Sequence, residues 1–242
     1  MTQFHLPDTL HEDFHCVSKQ GISLGFEALI YDYTPVPRSL DGDLITPSLL
    51  YMDDVPNDMQ DLWFEAGYYQ LDPVQHHALK TSVPFVWSYQ HPEQTNLPEM
   101  LQIDPRVQEY MNDNNIACGL TVPIHQPDGG FASLTGMVSG HNRLPELNEV
   151  MARFALMAHQ FHENIYPKFS PDVRSCRFIE LSKREKECLA YSAEGLTAKE
   201  IARHIHRSIP TVNMHLNSAI QKLGASNRVQ AVVRAMHYRL IE

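Results

Sequence analysis

LTAKEIARHIHRSIPTVNMH, residues 196–215, decides how the second half of this chain is read. Thr197-Ala198-Lys199-Glu200 has the form of a capping box, in which a hydroxyl and a carboxylate satisfy orphan backbone donors reciprocally. Leu196 and Ile201 stand where a hydrophobic staple would clamp the entry. The helix so started is short, roughly 197–205. Ser208 is placed to cap the next, and Pro210 is tolerated in its first turn. At helical spacing Val212, Leu216, Ala219 and Leu223 form one apolar stripe, with Ile220 beside it. The opposite face carries Pro210, Met214, Asn217 and Gln221, with Asn213 on its flank. A short helix, a tight turn and a helix with an amide-rich outer face predict a helix-turn-helix.

Outward from that stretch, Ser182-Lys183-Arg184-Glu185 is a second capping box, and its helix ends near Gly195. Gly224 stops the amide-bearing helix, and Ser226 is positioned to cap a fourth, carrying Val229, Val232, Val233 and Met236. The whole chain of 242 residues has a formal charge of −10, but residues 174–242 hold 12 Lys/Arg against 6 Asp/Glu. Residues 1–173 hold 7 Lys/Arg against 23 Asp/Glu. Such asymmetry predicts two domains with different partners. In a helix-turn-helix the second helix enters the major groove, where asparagine pairs bidentately with adenine. The expected DNA-binding residues are Lys199, Ser208, Thr211, Asn213, Met214, Asn217 and Lys222. Lys199 and Lys222, with Arg203 and Arg207, would neutralise phosphates. A plain helical bundle with a solvated face is the alternative. The two capping boxes, the short first helix and the local positive charge together favour a duplex partner.

The break falls at YPKFSPDVRSCRF, residues 166–178, with two prolines and no steady period. Before it, residues 25–33 read as a strand. Residues 118–124 and 131–139 flank a Gln126–Gly130 hairpin loop, and 146–166 is a long helix with Val150, Phe154, Met157 and Phe161 at helical spacing. Asp104 and Pro105 open a helix through about Met111. No regular βαβ rhythm appears, so the expected fold is α+β: an α/β/α sandwich with an antiparallel sheet, followed by a small all-α four-helix module. The expected boundaries are 1–166, a linker at 167–177, and 178–242. The start has no secretory pattern, and no apolar run approaches the ~18 residues of a membrane span. Four scattered cysteines without a CxxC read as reduced thiols, and a cytoplasmic location is expected.

The segments L-S-K-R-E-K-E-C-L, G-L-T-A-K-E-I-A, S-I-P-T-V-N-M-H, I-Q-K-L-G and N-R-V-Q-A strongly resemble the DNA-binding domain of LuxR-type transcription regulators over about residues 178–240. The resemblance implies base contacts from Asn213 and Asn217, a fourth helix that helps dimerise, and inverted-repeat operators. Residues 20–165 resemble the acyl-homoserine-lactone-binding domain of quorum-sensing members. Gly25-Phe26, Asp72-Pro73-Val74, Pro84-Phe85-Val86-Trp87 and Ile116-Ala117-Cys118-Gly119-Leu120-Thr121 carry that likeness. It implies a pocket in which Asp72 accepts from a ligand amide, Trp87 packs on the polar head and Ser133 lies near an acyl or oxo group. Asp-Pro is also a plain helix-start signal.

Family pockets carry Tyr-Pro-x-x-Trp-x-x-x-Tyr. Counting back from Asp72 with Pro56 in register gives Val55, Met59 and Trp63 at those positions, so hydroxyl and indole donors are missing there. A gapped register would instead put Trp63 at the usual tryptophan, with Tyr68 or Tyr69 nearby. The ungapped one fits both Pro56 and Asp72. The expected ligand residues are Val55, Met59, Trp63, Asp72, Trp87 and Ser133, and the expected signal is an acyl-homoserine lactone or another small hydrophobic molecule. The function expected is a DNA-binding regulator that senses such a signal and dimerises on its operator. The alternative is a ligand-independent regulator controlled by a partner protein or by expression level. His76-His77 and His159/His162 lack the convergent set a zinc site needs. No nucleophile, base and orienter assemble, so no catalytic residues, metal or cofactor are expected.

Overall fold

The computed structural model describes residues 10–95, 97–139, 144–176 and 179–241, with no side-chain description at 144 and 145. The expected linker end at 177 and module start at 178 lie outside the described residues. The chain divides into two compact units, Met1–Ser170 and Pro171–Glu242.

In the first unit α1 (His11–Ser23) precedes β1 (Ala28–Thr34) and β2 (Leu49–Asp53). Two short helices follow, α2 (Met59–Phe64) and α3 (Pro73–Ala78), then β3 (Phe85–Ser88) and α4 (Pro105–Asp113). A hairpin of β4 (Ile116–His125) and β5 (Phe131–Ser139) leads into α5 (Leu144–Ile165). The strands form one antiparallel sheet in the order β2-β1-β5-β4-β3. The α+β expectation holds, with helices on both faces of the sheet.

Strand periodicity assigns the two faces, because successive side chains point to opposite sides. On β1, Tyr31 points to α5, where its hydroxyl meets His162 Nδ1 at 2.8 Å, while Phe14 of α1 packs beside it. Ile30 and Asp32 point the other way, toward α2 and α3. On β5, Thr135 and Met137 share the Asp32 face. Gly136 faces Phe26, whose ring packs tilted against Phe154 of α5; a Cβ at Gly136 would lie 2.4 Å from the Phe26 ring. Phe154, Met157 and Phe161 are buried along α5 as their spacing predicts, while Val150 is half-buried. Asp104 caps α4 by accepting from Arg106 N–H at 3.0 Å, and Pro105 occupies the first helical position.

The second unit is four helices, α6 (Lys183–Ala193), α7 (Ala198–His204), α8 (Ile209–Lys222) and α9 (Arg228–His237). Both expected capping boxes form, at Ser182/Glu185 and Thr197/Glu200. Gly195 and Gly224 have φ of +87° and +59°, the left-handed region that ends a helix at little cost for glycine. The cap of α9 differs from the sequence reading. Asn227, not Ser226, accepts from Gln230 N–H, at 2.9 Å. Ser226 instead donates its N–H and hydroxyl to Gln230 Oε1. Asparagine and serine are near-equal caps, so propensity alone does not choose between neighbours.

Candidate functional site: ligand cavity and nucleic-acid interface

Between the sheet and α2–α4 lies a cavity of about 40 Å³. Ile30 and Asp32 reach it from β1, Leu50 and Met52 from β2, and Thr135 and Met137 from β5. Met59, Trp63 and Phe64 reach it from α2, Val74 and Gln75 from α3, and Met111 from α4. Tyr69, Asp72, Trp87 and Tyr89 complete the lining. Of the expected ligand residues, Met59, Trp63, Asp72 and Trp87 therefore line one space. Val55 is half-buried against the same core without lining the cavity. Ser133 sits one layer back, opposite Asp32 in the β1–β5 register, and donates to Asp32 Oδ2 at 2.9 Å.

Asp72 does two jobs at once. It is the N-cap of α3, accepting from Val74 N–H at 2.9 Å, with Pro73 next in the helix. Its carboxylate also accepts from Trp63 Nε1–H at 2.9 Å and from the Tyr89 hydroxyl at 3.1 Å. Burial pushes its pKa up, while those three donors hold it down. The residue expected to receive a ligand amide thus already receives an indole from its own chain. Trp63 is the substituted position of the ungapped register. Trp87 is fixed from two sides: its Nε1–H donates to Thr121 Oγ1 at 2.9 Å, and Thr121 in turn meets Thr135 at 2.9 Å. Its ring lies over Gly119, its cross-strand partner, where a Cβ would stand 2.3 Å from ring carbon Cζ2. Only glycine leaves room for that packing.

Asp32 was not among the expected site residues. It is 2% exposed, lies on the cavity face of β1 and carries a pKa raised to about 6. Burial is the main cause, opposed by hydrogen bonds from Ser133 and Gln75 and reinforced by the Asp72 charge. A carboxylate in the apolar run ALIYDYT was the available signal, because an unpaired charge inside a strand facing a core is costly. The histidines are spent elsewhere. His76 Nε2 meets Gln70 O at 2.7 Å, His77 pairs with Glu99, and His162 is buried against Tyr31. Among the described residues no group of three metal-ligating side chains converges.

In the second unit the stripe of α8 is buried at Val212, Leu216, Ala219 and Leu223. Asn213, Met214 and Asn217 are exposed on its outer side, Met214 at 58%. Ser208 caps α8, accepting from Thr211 N–H and meeting its hydroxyl at 2.8 Å, so both lie at the leading end of that helix. Lys199 is exposed on α7. Lys222 is held differently. Its Nζ pairs with Glu185 Oε2 at 2.9 Å, and Ser218 donates to Oε1 at 2.6 Å. Burial works to raise the Glu185 pKa, but Ser218, Lys222 and Ser182 keep it well below the usual carboxylate range. Lys222 therefore ties the end of α8 to the start of α6 as well as lying near the outer face.

Residues 12–165 match the autoinducer binding domain, and residues 180–235 match the luxR family of bacterial regulatory proteins. The transcriptional activator VanR of Vibrio anguillarum is 28% identical, the match covering 94% of this chain and 90% of VanR. The quorum-sensing-dependent regulator RpaR of Rhodopseudomonas palustris is 30% identical, over 81% of this chain and 76% of RpaR. In fold, the chain resembles Escherichia coli SdiA with a TM-score of 0.61 at 20% identity, covering 98% of this chain and 94% of SdiA. VanR and RpaR are transcription regulators, not enzymes. This chain belongs to the LuxR-type transcription regulators, with an autoinducer-binding domain followed by a LuxR-family helix-turn-helix domain.

Proposed function

We propose that this regulator answers to a small amphiphile other than an ordinary acyl-homoserine lactone, held in the cavity around Asp72 and Trp87. One observation carries the reading: the Asp72 carboxylate is occupied by Trp63, Tyr89 and the backbone of Val74. A lactone amide would have to displace or share one of these. The thioether at Met59 is only a weak acceptor and donates nothing to lactone carbonyls. Met52, Met59, Met111 and Met137 line the cavity, and flexible thioether chains let it widen around a guest. The test is thermal stability of the full chain with and without N-octanoyl-homoserine lactone. No shift supports the reading, and a saturable shift overturns it.

On the DNA side, Asn213 and Asn217 read base edges, Ser208, Thr211 and Met214 line the same approach, and Lys199 meets phosphate. Lys222 contributes charge while bound to Glu185. Val229, Val233 and Met236 are 73%, 53% and 53% exposed at helical spacing on α9, a stripe suited to a second copy. A dimer then presents two α8 helices about one turn of duplex apart, ~34 Å, on an inverted repeat. Binding of a palindromic site by the full chain, lost on Asn217→Ala while random-sequence binding persists, tests this arrangement. A cytoplasmic location accords with a duplex partner and with the absence, among the described residues, of any helix long and apolar enough to cross a membrane.

A second reading, ligand independence, is favoured by the size of the cavity. About 40 Å³ is far below the roughly 300–1,000 Å³ of small-molecule pockets. Under that reading Trp63 stands in permanently for a guest.

A further inference from the structure

The cavity's unsatisfied polar atoms are all of one kind. Asp32 and Gln75 line the cavity, and Asp32 Oδ1 and Gln75 Oε1 are buried with no hydrogen-bond partner among the described residues. Both are acceptors. Apart from the Tyr69 and Thr135 hydroxyls, which also line the cavity, the donors around them are already committed. Ser133 and Gln75 Nε2 donate to Asp32 Oδ2, Trp63 and Tyr89 to Asp72, and Trp87 to Thr121. Leaving buried acceptors unpaired costs free energy that a guest with donors would recover.

We propose that Asp32 and Gln75 form a second polar subsite of this cavity, selecting a ligand with a hydroxyl or amine donor where a fatty acyl chain has none. The proposal rests on the reading that the cavity holds a signal. Ser133 is then a positioning residue. It fixes Asp32 Oδ2 across the β1–β5 pair and so turns Oδ1 toward the guest. An acceptor-only molecule, such as a ketone, gains nothing at this end and meets two oxygens that repel its own. A primary amine gains most, since its ammonium neutralises a carboxylate that burial makes reluctant to ionise.

The chain's two tryptophans, Trp63 and Trp87, both line the cavity, so intrinsic indole emission reports on this space alone. The probes are three six-carbon fragments, 1-aminohexane, 1-hexanol and 2-hexanone, titrated into the full chain with emission as readout. The amine and the alcohol are expected to bind at least about tenfold tighter than the ketone. Asp32→Asn places an amide donor at the subsite and should bring the three within about threefold. Should Asp32→Asn fail to fold, Gln75→Leu is the second variant, with a smaller loss of preference expected. Equal binding of all three fragments to the unmodified chain overturns the donor preference but leaves the cavity as a signal site. A preference that survives Asp32→Asn unchanged overturns the role of Asp32. Silence from all three, as expected if water alone satisfies the acceptors, overturns both the subsite and the signal reading.

Discussion

The two units treat their polar side chains in opposite ways. On α8, Asn213 and Asn217 are held out from a helix whose other side is locked into the bundle. In the cavity, Asp72 and its neighbours face inward and satisfy one another, while among the described residues Asp32 and Gln75 retain unmet acceptors. A surface prepared for a rigid partner keeps its functional groups unspent, because water holds them at little cost. An interior prepared for an optional guest cannot, since each unpaired polar atom there destabilises the fold. On the proposed reading, the DNA-binding unit is ready before its partner arrives, whereas Asp72 in the sensor unit is already paired within its own chain.

The largest effect should come from breaking the interior network. Asp72→Ala removes the acceptor of Trp63 and Tyr89 and the cap of α3, and should cost the sensor unit about 3–5 kcal/mol without any added molecule. Urea unfolding followed by tryptophan emission measures this. A cost below about 1 kcal/mol would mean that the network is not what holds the cavity shut.

The next effect concerns pH. The folded pKa of Asp32 is raised to about 6 against an ordinary 3.8, so the folded state binds the extra proton. Burying the ionised form then costs stability that is fully felt above pH 6 and relieved as pH falls toward 4, on the order of 3 kcal/mol. His162 works in the opposite sense over a similar range. Burial lowers its pKa to about 4, so stability is lost as pH falls from 6.5 toward that value. The Asp72 charge adds to the Asp32 shift, and Asp32 in turn raises the pKa of Tyr69. The diagnostic is therefore the difference between the unmodified chain and Asp32→Asn. Asp32→Asn should gain relative stability between pH 4 and 7, and parallel curves would contradict the assigned shift.

On the outward-facing unit, Asn217→Ala should cost ~1–3 kcal/mol of specific binding and relax one operator position, with fold stability changed by under ~0.5 kcal/mol. Equal losses on specific and random duplex in a binding titration would show that the amide does not read bases. The smallest effect is expected at Thr197→Ala. It removes half of a capping box and should lower helix-turn-helix stability by about 1 kcal/mol in a thermal melt, leaving the cavity unaffected.

The same contrast explains what was legible in the sequence. Caps, stops and an apolar stripe are local signals, so the helix-turn-helix could be drawn almost residue by residue. The one miss, Ser226 for Asn227, is a choice between adjacent caps. In the sensor unit the hairpin, α4 and α5 were legible from periodicity and turn chemistry. β2, β3, α2 and α3 are too short to show a period. The cavity is built by pairing across strands far apart in the chain, which hides its logic. That Ser133 serves Asp32 follows from the β1–β5 register. That Trp63 reaches Asp72 follows from α2 lying across the start of α3. Register and crossing are tertiary facts. Motif reading found Asp72 and Trp87 by resemblance and passed over Asp32, which belongs to no motif.

The cavity of this regulator is proposed to be closed to the acyl-homoserine lactone that its family resemblance implies. The direct measurement is a thermal melt of the full chain with N-octanoyl-homoserine lactone across a wide concentration range. A ligand present at 100 times its Kd stabilises by about 2.7 kcal/mol, a shift of roughly 5–10 °C for a chain this size. The expected shift is below about 1 °C at every concentration. A saturable rise of several degrees, lost on Asp72→Ala, would contradict it.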